Sequence, residues 1–154
     1  MQICRNFVYN CNMEPTQLLI NILKDNGHSV TNARETVFEL LLDSEPQTIA
    51  QLAKASGNRV NRASLYRIIE LFEQLHIVQR VYVGWKYKLE LTDAFQQHHH
   101  HITCKNCEKV IPITEDEAVE ALIAQLARAH GVQPTGHVLE IQGICADCQA
   151  SRRV

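Results

Sequence analysis

Four of the six cysteines in this sequence form two C-x-x-C pairs, CKNC at Cys104/Cys107 and CADC at Cys145/Cys148, with 37 residues between the pairs. A C-x-x-C turn offers two thiolates about one ion diameter apart, and two such turns complete the tetrahedron that zinc requires. Structural zinc is the first reading; a pair of disulfides or a redox dithiol is the alternative chemistry. Cys4 and Cys11 belong to no such pair and read as free thiols.

The second concentration of chemistry is His98-His99-His100-His101, in the stretch QQHHHHITC. On a strand, alternate side chains point to opposite faces. His98 and His100 then face one way and His99 and His101 the other, so four adjacent residues make two half-sites. Imidazole suits zinc, iron and similar ions, and each half-site needs further donors from elsewhere in the fold. Glu90, Glu120 and His137 are the candidates; a solvated polar run is the alternative. His28, His76 and His130 fall in a turn or at helix ends and read as structural.

The elements that must position these groups are legible from period and punctuation. Residues 1–13 show no clear period and read as an N-terminal arm. From Pro15 the pattern is helical, with Leu18, Leu19, Ile22 and Leu23 on one face and Asn26-Gly27 as its stop. Thr31 predicts the cap of a second helix, and Pro46-Gln47-Thr48 opens a third that ends near Gly57. Asn61 predicts the cap of a fourth, whose Leu65, Ile68, Ile69, Phe72 and Leu75 form a buried stripe. IVQRVYV and KYKLEL then read as two strands around Gly84-Trp85. This is the outline of a winged helix-turn-helix over residues 14–91. The polar stretch TDAFQQ, residues 92–97, reads as a hinge. Beyond it, strand (HHHHITC), strand (KVIPI), helix (Glu115 to His130) and strand (HVLEIQ) predict a small α/β unit over 98–154. The fold class is α+β.

Net charge is −2, which excludes a protein that coats nucleic acid nonspecifically. Its distribution matters more. Lys54 to Ile69 holds Lys54, Arg59, Arg62 and Arg67 with no acid, at the start of the fourth helix, where a recognition helix meets the major groove. Arg59, Arg62 and Arg67 can contact phosphates or guanine edges, and Ser64 and Tyr66 can add hydrogen bonds or thymine contacts. The partner implied is double-stranded DNA. An apolar fraction of 45% supplies a core, and no run approaches the roughly 20 apolar residues of a membrane span. The opening residues lack the apolar segment of a secretory signal, so the expected location is the cytoplasm. A small metalloenzyme using the histidine sites is the rival. The chain has no cleft-forming insertions and spends half its length on a DNA-binding outline, so we read it as no enzyme.

VTNAR, NRASLYR, HHHHITCKNC and GICADC together resemble the ferric uptake regulator family over about residues 15–149. The resemblance implies a dimeric, metal-dependent DNA-binding repressor whose C-terminal unit dimerises. It implies structural zinc on Cys104, Cys107, Cys145 and Cys148, and a regulatory hinge site on Glu90, His99 and His101. A second site falls on His98, His100, Glu120 and His137. Metal would orient the two DNA-binding domains of the dimer for a palindromic operator controlling metal-uptake genes. Two departures stand out. SEPQTIA lacks the histidine that iron and peroxide sensors usually supply before the third helix. Gln79 stands where zinc sensors usually carry Asp or His. With His100 in place of the Asp common in iron sensors, the balance leans to zinc, with an iron or peroxide sensor as alternative.

Overall fold

The computed structural model describes residues 13–151, which divide into two compact units between Gln96 and Gln97. Cys4, Cys11 and all of the N-terminal arm but Met13 lie outside the described residues.

The first unit contains α1 (Pro15–Asp25), α2 (Asn32–Leu41), α3 (Ile49–Ser56), α4 (Arg62–Gln74), β1 (Val78–Val83) and β2 (Lys86–Leu91). α1 opens on Pro15, which has no N–H to satisfy, and α2, α3 and α4 each begin where a side chain accepts from one of the first backbone N–H groups. Thr31 accepts from the Arg34 N–H, Thr48 and Gln51 form a reciprocal capping box, and Asn61 Oδ1 accepts from the Ser64 N–H at 2.8 Å. α4 ends through His76, whose φ of 54° turns the chain so that the Ile77 N–H returns to the Phe72 carbonyl at 2.8 Å.

The helices bury one stripe each. Leu19, Leu23, Phe38, Leu52, Leu65, Phe72 and Leu89 are fully enclosed in one core. Each contributes roughly 1.5–3 kcal/mol over its exposed state. β1 and β2 pair antiparallel, with Gln79 opposite Glu90 and Tyr82 opposite Tyr87. The loop before α3 joins this hairpin: Gln47 and Leu89 exchange backbone hydrogen bonds of 2.9 and 2.7 Å. Arg80 on β1 pairs with Glu73 on α4 and lies 4.3 Å from the centre of the Tyr87 ring, tying the wing to the helix. Residues 92–96 form a turn held to this unit, since Thr92 Oγ1 donates to the His76 carbonyl at 2.7 Å and Phe95 packs edge-on against Phe38.

The second unit contains β3 (His99–Cys104), β4 (Val110–Thr114), α5 (Glu117–Ala129), β5 (Glu140–Gly143) and α6 (Ala146–Ser151). Its sheet runs β4-β3-β5, with β3 antiparallel to β4 and parallel to β5. The parallel pair requires a crossover, which α5 provides. Asp116 caps α5, accepting from the Ala118 and Val119 N–H groups. This unit encloses little apolar surface. Among the described residues its buried hydrophobic side chains are Cys104, Val110 and Cys148. α5 has no buried residue although its pattern is amphipathic, and Leu122, Leu126, Val132, Val138 and Ile141 are exposed.

The α+β class and the winged-helix arrangement match the sequence expectation. The sequence reading missed α6 and the Gln47–Leu89 pairing, and it began the last strand three residues early. No helix among the described residues is long and apolar enough to cross a membrane.

Candidate metal centres and the basic helix face

β3 and β5 run side by side and deliver both cysteine pairs to one end of the sheet. The CKNC turn reverses on Glu108, whose φ is 59° and whose N–H returns to the Cys104 carbonyl at 2.9 Å. The Lys105 N–H donates to the Gly143 carbonyl, which holds the second pair beside the first. All four sulfurs lie within 4.8 Å of one another, and Cys107 and Cys145 Sγ are 3.7 Å apart. A tetrahedral ion with metal–sulfur bonds of about 2.3 Å has sulfur–sulfur edges of about 3.7–3.8 Å. The thiols are free, and the spacing fits zinc.

The protonation pattern fits as well. Backbone N–H groups of Cys145, Cys107 and Asn106 point at Cys104 and bring its thiol down to about 6. At Cys107 the Lys109 N–H works in the same direction. Crowding by the sulfurs of Cys104, Cys148 and Cys145 outweighs it and pushes that thiol up to about 11. Four sulfurs this close compete for negative charge, and a dication resolves the competition.

The histidine run divides by strand parity. The rings of His98 and His100 lie 4.8 Å apart, and those of His99 and His101 lie 4.7 Å apart. His100 and His101 are both buried, on opposite sides of β3. On the first side, three imidazoles converge on Glu120 Oε1 from α5. His100 Nε2 is 3.0 Å away, His137 Nε2 3.1 Å and His98 Nε2 3.5 Å. His98 and His137 Nε2 are 3.3 Å apart. Bonds of about 2.0–2.1 Å in a tetrahedron give donor edges of about 3.3–3.4 Å, so this set too has the dimensions of a metal shell. Burial works against the Glu120 charge. The hydrogen bond from His100 and the nearby His137 and His98 rings outweigh it and hold the carboxyl below its ordinary value.

Of the residues expected at the hinge site, Glu90 belongs to the first unit and His99 and His101 to the second. In the first unit Glu90 lies near the end of β2, is 3% exposed, and accepts a hydrogen bond from Gln79 Nε2 at 2.7 Å. In the second, His99 and His101 share the other face of β3, and His99 Nδ1 lies 2.9 Å from the Gln97 carbonyl. The Gln79–Glu90 hydrogen bond is a contact that sequence reasoning missed. The signal was available in the hairpin register around Gly84-Trp85.

On α4, Arg62, Tyr66 and Arg67 are exposed and Ser64 is half-buried. The Arg62 guanidinium lies 5.9 Å from the centre of the Tyr66 ring. Arg59 precedes the helix and is engaged otherwise: its guanidinium donates to the Ser56 and Ala55 carbonyls at the end of α3. It neutralises that helix end while remaining at the surface.

The sequence of residues 25–142 matches the model of the ferric uptake regulator family. The ferric uptake regulation protein of Escherichia coli K12 is 35% identical over 136 residues, covering 82% of this chain and 89% of that protein. That of Campylobacter jejuni is 32% identical over 136 residues, covering 82% and 83%. The crystal structure of the Vibrio cholerae ferric uptake regulator superposes with a TM-score of 0.69 at 30% identity, covering 82% of this chain and 99% of that one.

Proposed function

The chain belongs to the ferric uptake regulator family, and from that premise we propose that it is a zinc-responsive repressor of metal-uptake genes. It acts as a homodimer on a palindromic operator and is a transcription regulator, not an enzyme. The observation that carries the metal dependence is the convergence of His98, His100, Glu120 and His137 at the spacing of a coordination shell. Three nitrogens and one oxygen at these separations suit zinc.

Residues 14–91 form the DNA-binding domain and 98–154 the dimerisation domain. Arg62, Tyr66 and Arg67 reach base edges or phosphates from the exposed face of α4, with Ser64 beside them and Arg59 at the helix entrance. We put the pivot of the 92–97 hinge at its end, near Gln97, because Thr92 and Phe95 are bonded into the first unit. A bound dication supplies a positive centre that charged carboxylate and neutral imidazole can share. Glu90, His99 and His101, the regulatory ligands that the family resemblance implies, would hold such an ion.

A second reading, ferrous iron in place of zinc, has two supports. Two histidines and one carboxylate with open positions are the usual donor set for non-haem iron, and the curated relatives compared above carry ferric-uptake names. His99→Ala and His101→Ala test the hinge under either metal. Each is expected to abolish metal-dependent DNA binding in a mobility-shift assay while leaving a folded dimer. Repression at the native level by either variant would remove the hinge role.

A further inference from the structure

The start of α4 carries a cation where helix energetics favour an anion. The partial positive charge at a helix N-terminus stabilises acids in the first turn. α2 holds Glu35 there, and α5 holds Glu117 and Glu120. α4 holds no acid in its first turn, and its first residue is Arg62. Asn61 Oδ1 accepts from the Ser64 N–H at 2.8 Å and fixes where the helix begins, which sets the Arg62 backbone. Tyr66 stands one turn on, and both side chains are exposed. The Arg62 guanidinium lies 5.9 Å from the centre of the Tyr66 ring, within the range of a cation–π contact. A ring face attracts the cation without occupying the edge of its planar fork of donors, so that edge stays available. Arg59 differs, because its guanidinium donates to the Ser56 and Ala55 carbonyls.

Resting on the reading of α4 as the recognition helix, we infer that Arg62 is a specificity-determining residue. Steadied by the Tyr66 ring, it reads one guanine per bound subunit through two hydrogen bonds, to O6 and N7. A recognition helix presents its N-terminal residues to base edges, and Arg62 is the first residue of α4. A phosphate accepts from many directions, so a flexible cation suffices for it. A guanine edge accepts in the plane of the base, which demands an oriented fork. The contact with Tyr66 restricts a long side chain before DNA arrives, so less freedom is lost on binding. Lysine, a point charge on a flexible stem, cannot reproduce the two-bond pattern.

The test is selection and sequencing of duplexes from a randomised pool by the full-length protein, loaded with Zn2+ and, in parallel without oxygen, with Fe2+. Arg62→Lys, Tyr66→Phe and Tyr66→Leu are compared with the unaltered chain, with circular dichroism as the check on folding. The unaltered chain is expected to demand guanine at one position per subunit, by ~5–150-fold over the other bases. Arg62→Lys is expected to lose that demand while the dependence of affinity on salt stays the same, since the charge is kept. Tyr66→Phe keeps the ring face and with it the guanine preference, whereas Tyr66→Leu weakens the preference at the same position. A Tyr66→Leu profile with that preference intact would overturn the steadying role. A profile unchanged in Arg62→Lys, with Arg62→Ala weakening all sequences alike and lowering the salt slope by about 0.9 per subunit, is the signature of a phosphate contact. That result would overturn the inference. If Arg62→Ala and Arg67→Ala leave both affinity and salt slope unchanged, the recognition-helix reading falls and takes this inference with it.

Discussion

Cys104 and Cys107 carry opposite consequences of one crowded arrangement. Backbone N–H groups bring Cys104 down to about 6, and neighbouring sulfurs push Cys107 up to about 11. Above the Cys104 value that ligand is already a thiolate; below it, an arriving ion must displace one more proton. Zinc affinity at this set is therefore expected to fall steeply as pH drops through about 6, because binding releases protons. Competition with a chromophoric chelator between about pH 7 and about pH 5 measures this, and a pH-independent affinity would contradict it. At this scale the sequence was informative where one rule governs. The division of His98/His100 from His99/His101 follows from the two-residue period of a strand. The Gln79–Glu90 bond does not follow from composition or period, because it needs the hairpin register to be known. The capping role of Arg59 on α3 was likewise hidden, since an arginine in a basic run reads first as a phosphate contact.

α5 is the element whose surroundings least satisfy its sequence. Its pattern predicts a buried face of Val119, Leu122, Ile123 and Leu126, yet none of its residues is buried within one chain. Leu122 is 55% and Leu126 53% exposed, beside exposed Val132, Val138 and Ile141. An apolar patch of this kind marks an interaction surface, and a second copy of the same face would cover it. Leu126→Glu is expected to dissociate the dimer, since the substitution occurs twice at a two-fold interface. A loss of about 1.5–3 kcal/mol per leucine, doubled, is roughly 100-fold or more in dimer affinity. Sedimentation velocity reads the outcome, and an intact dimer would refute this assignment of the surface. Most element boundaries were legible because capping residues punctuate them: Thr31, Thr48 and Asn61 all cap the helices they announce. The last strand was less so. Its residues before Glu140 fall outside the paired register, which starts at His101 opposite Glu140, and the Leu139 carbonyl makes only a long 3.5 Å bond with the His101 N–H. α6 was missed because ADCQAS was read for its ligands alone.

At the scale of the molecule, the two units divide the work between a well-filled core and a thin one. The first encloses large side chains from four helices and the wing. The second encloses few, and on this account it relies on zinc and on dimerisation for the stability its core does not supply; structural zinc in small peptides contributes ~10 kcal/mol or more. Regulation then requires little of the fold itself. To move a dimer from 1:99 to 99:1 in favour of its DNA-competent arrangement, the metal-bound form must be preferred by about 5.5 kcal/mol. The central claim is that this preference exists and is set by metal beyond the cysteine-bound ion. Its most direct test begins with the dimer after elemental analysis has counted its zinc. Zn2+, and separately Fe2+ without oxygen, is then titrated in while binding to duplexes selected by the zinc-loaded protein is followed by fluorescence anisotropy. We predict weak binding with only the cysteine sites filled and a sharp rise as Zn2+ fills the histidine sites. A rise with Fe2+ alone would keep the regulator and reverse the metal. DNA affinity indifferent to both metals would contradict the account.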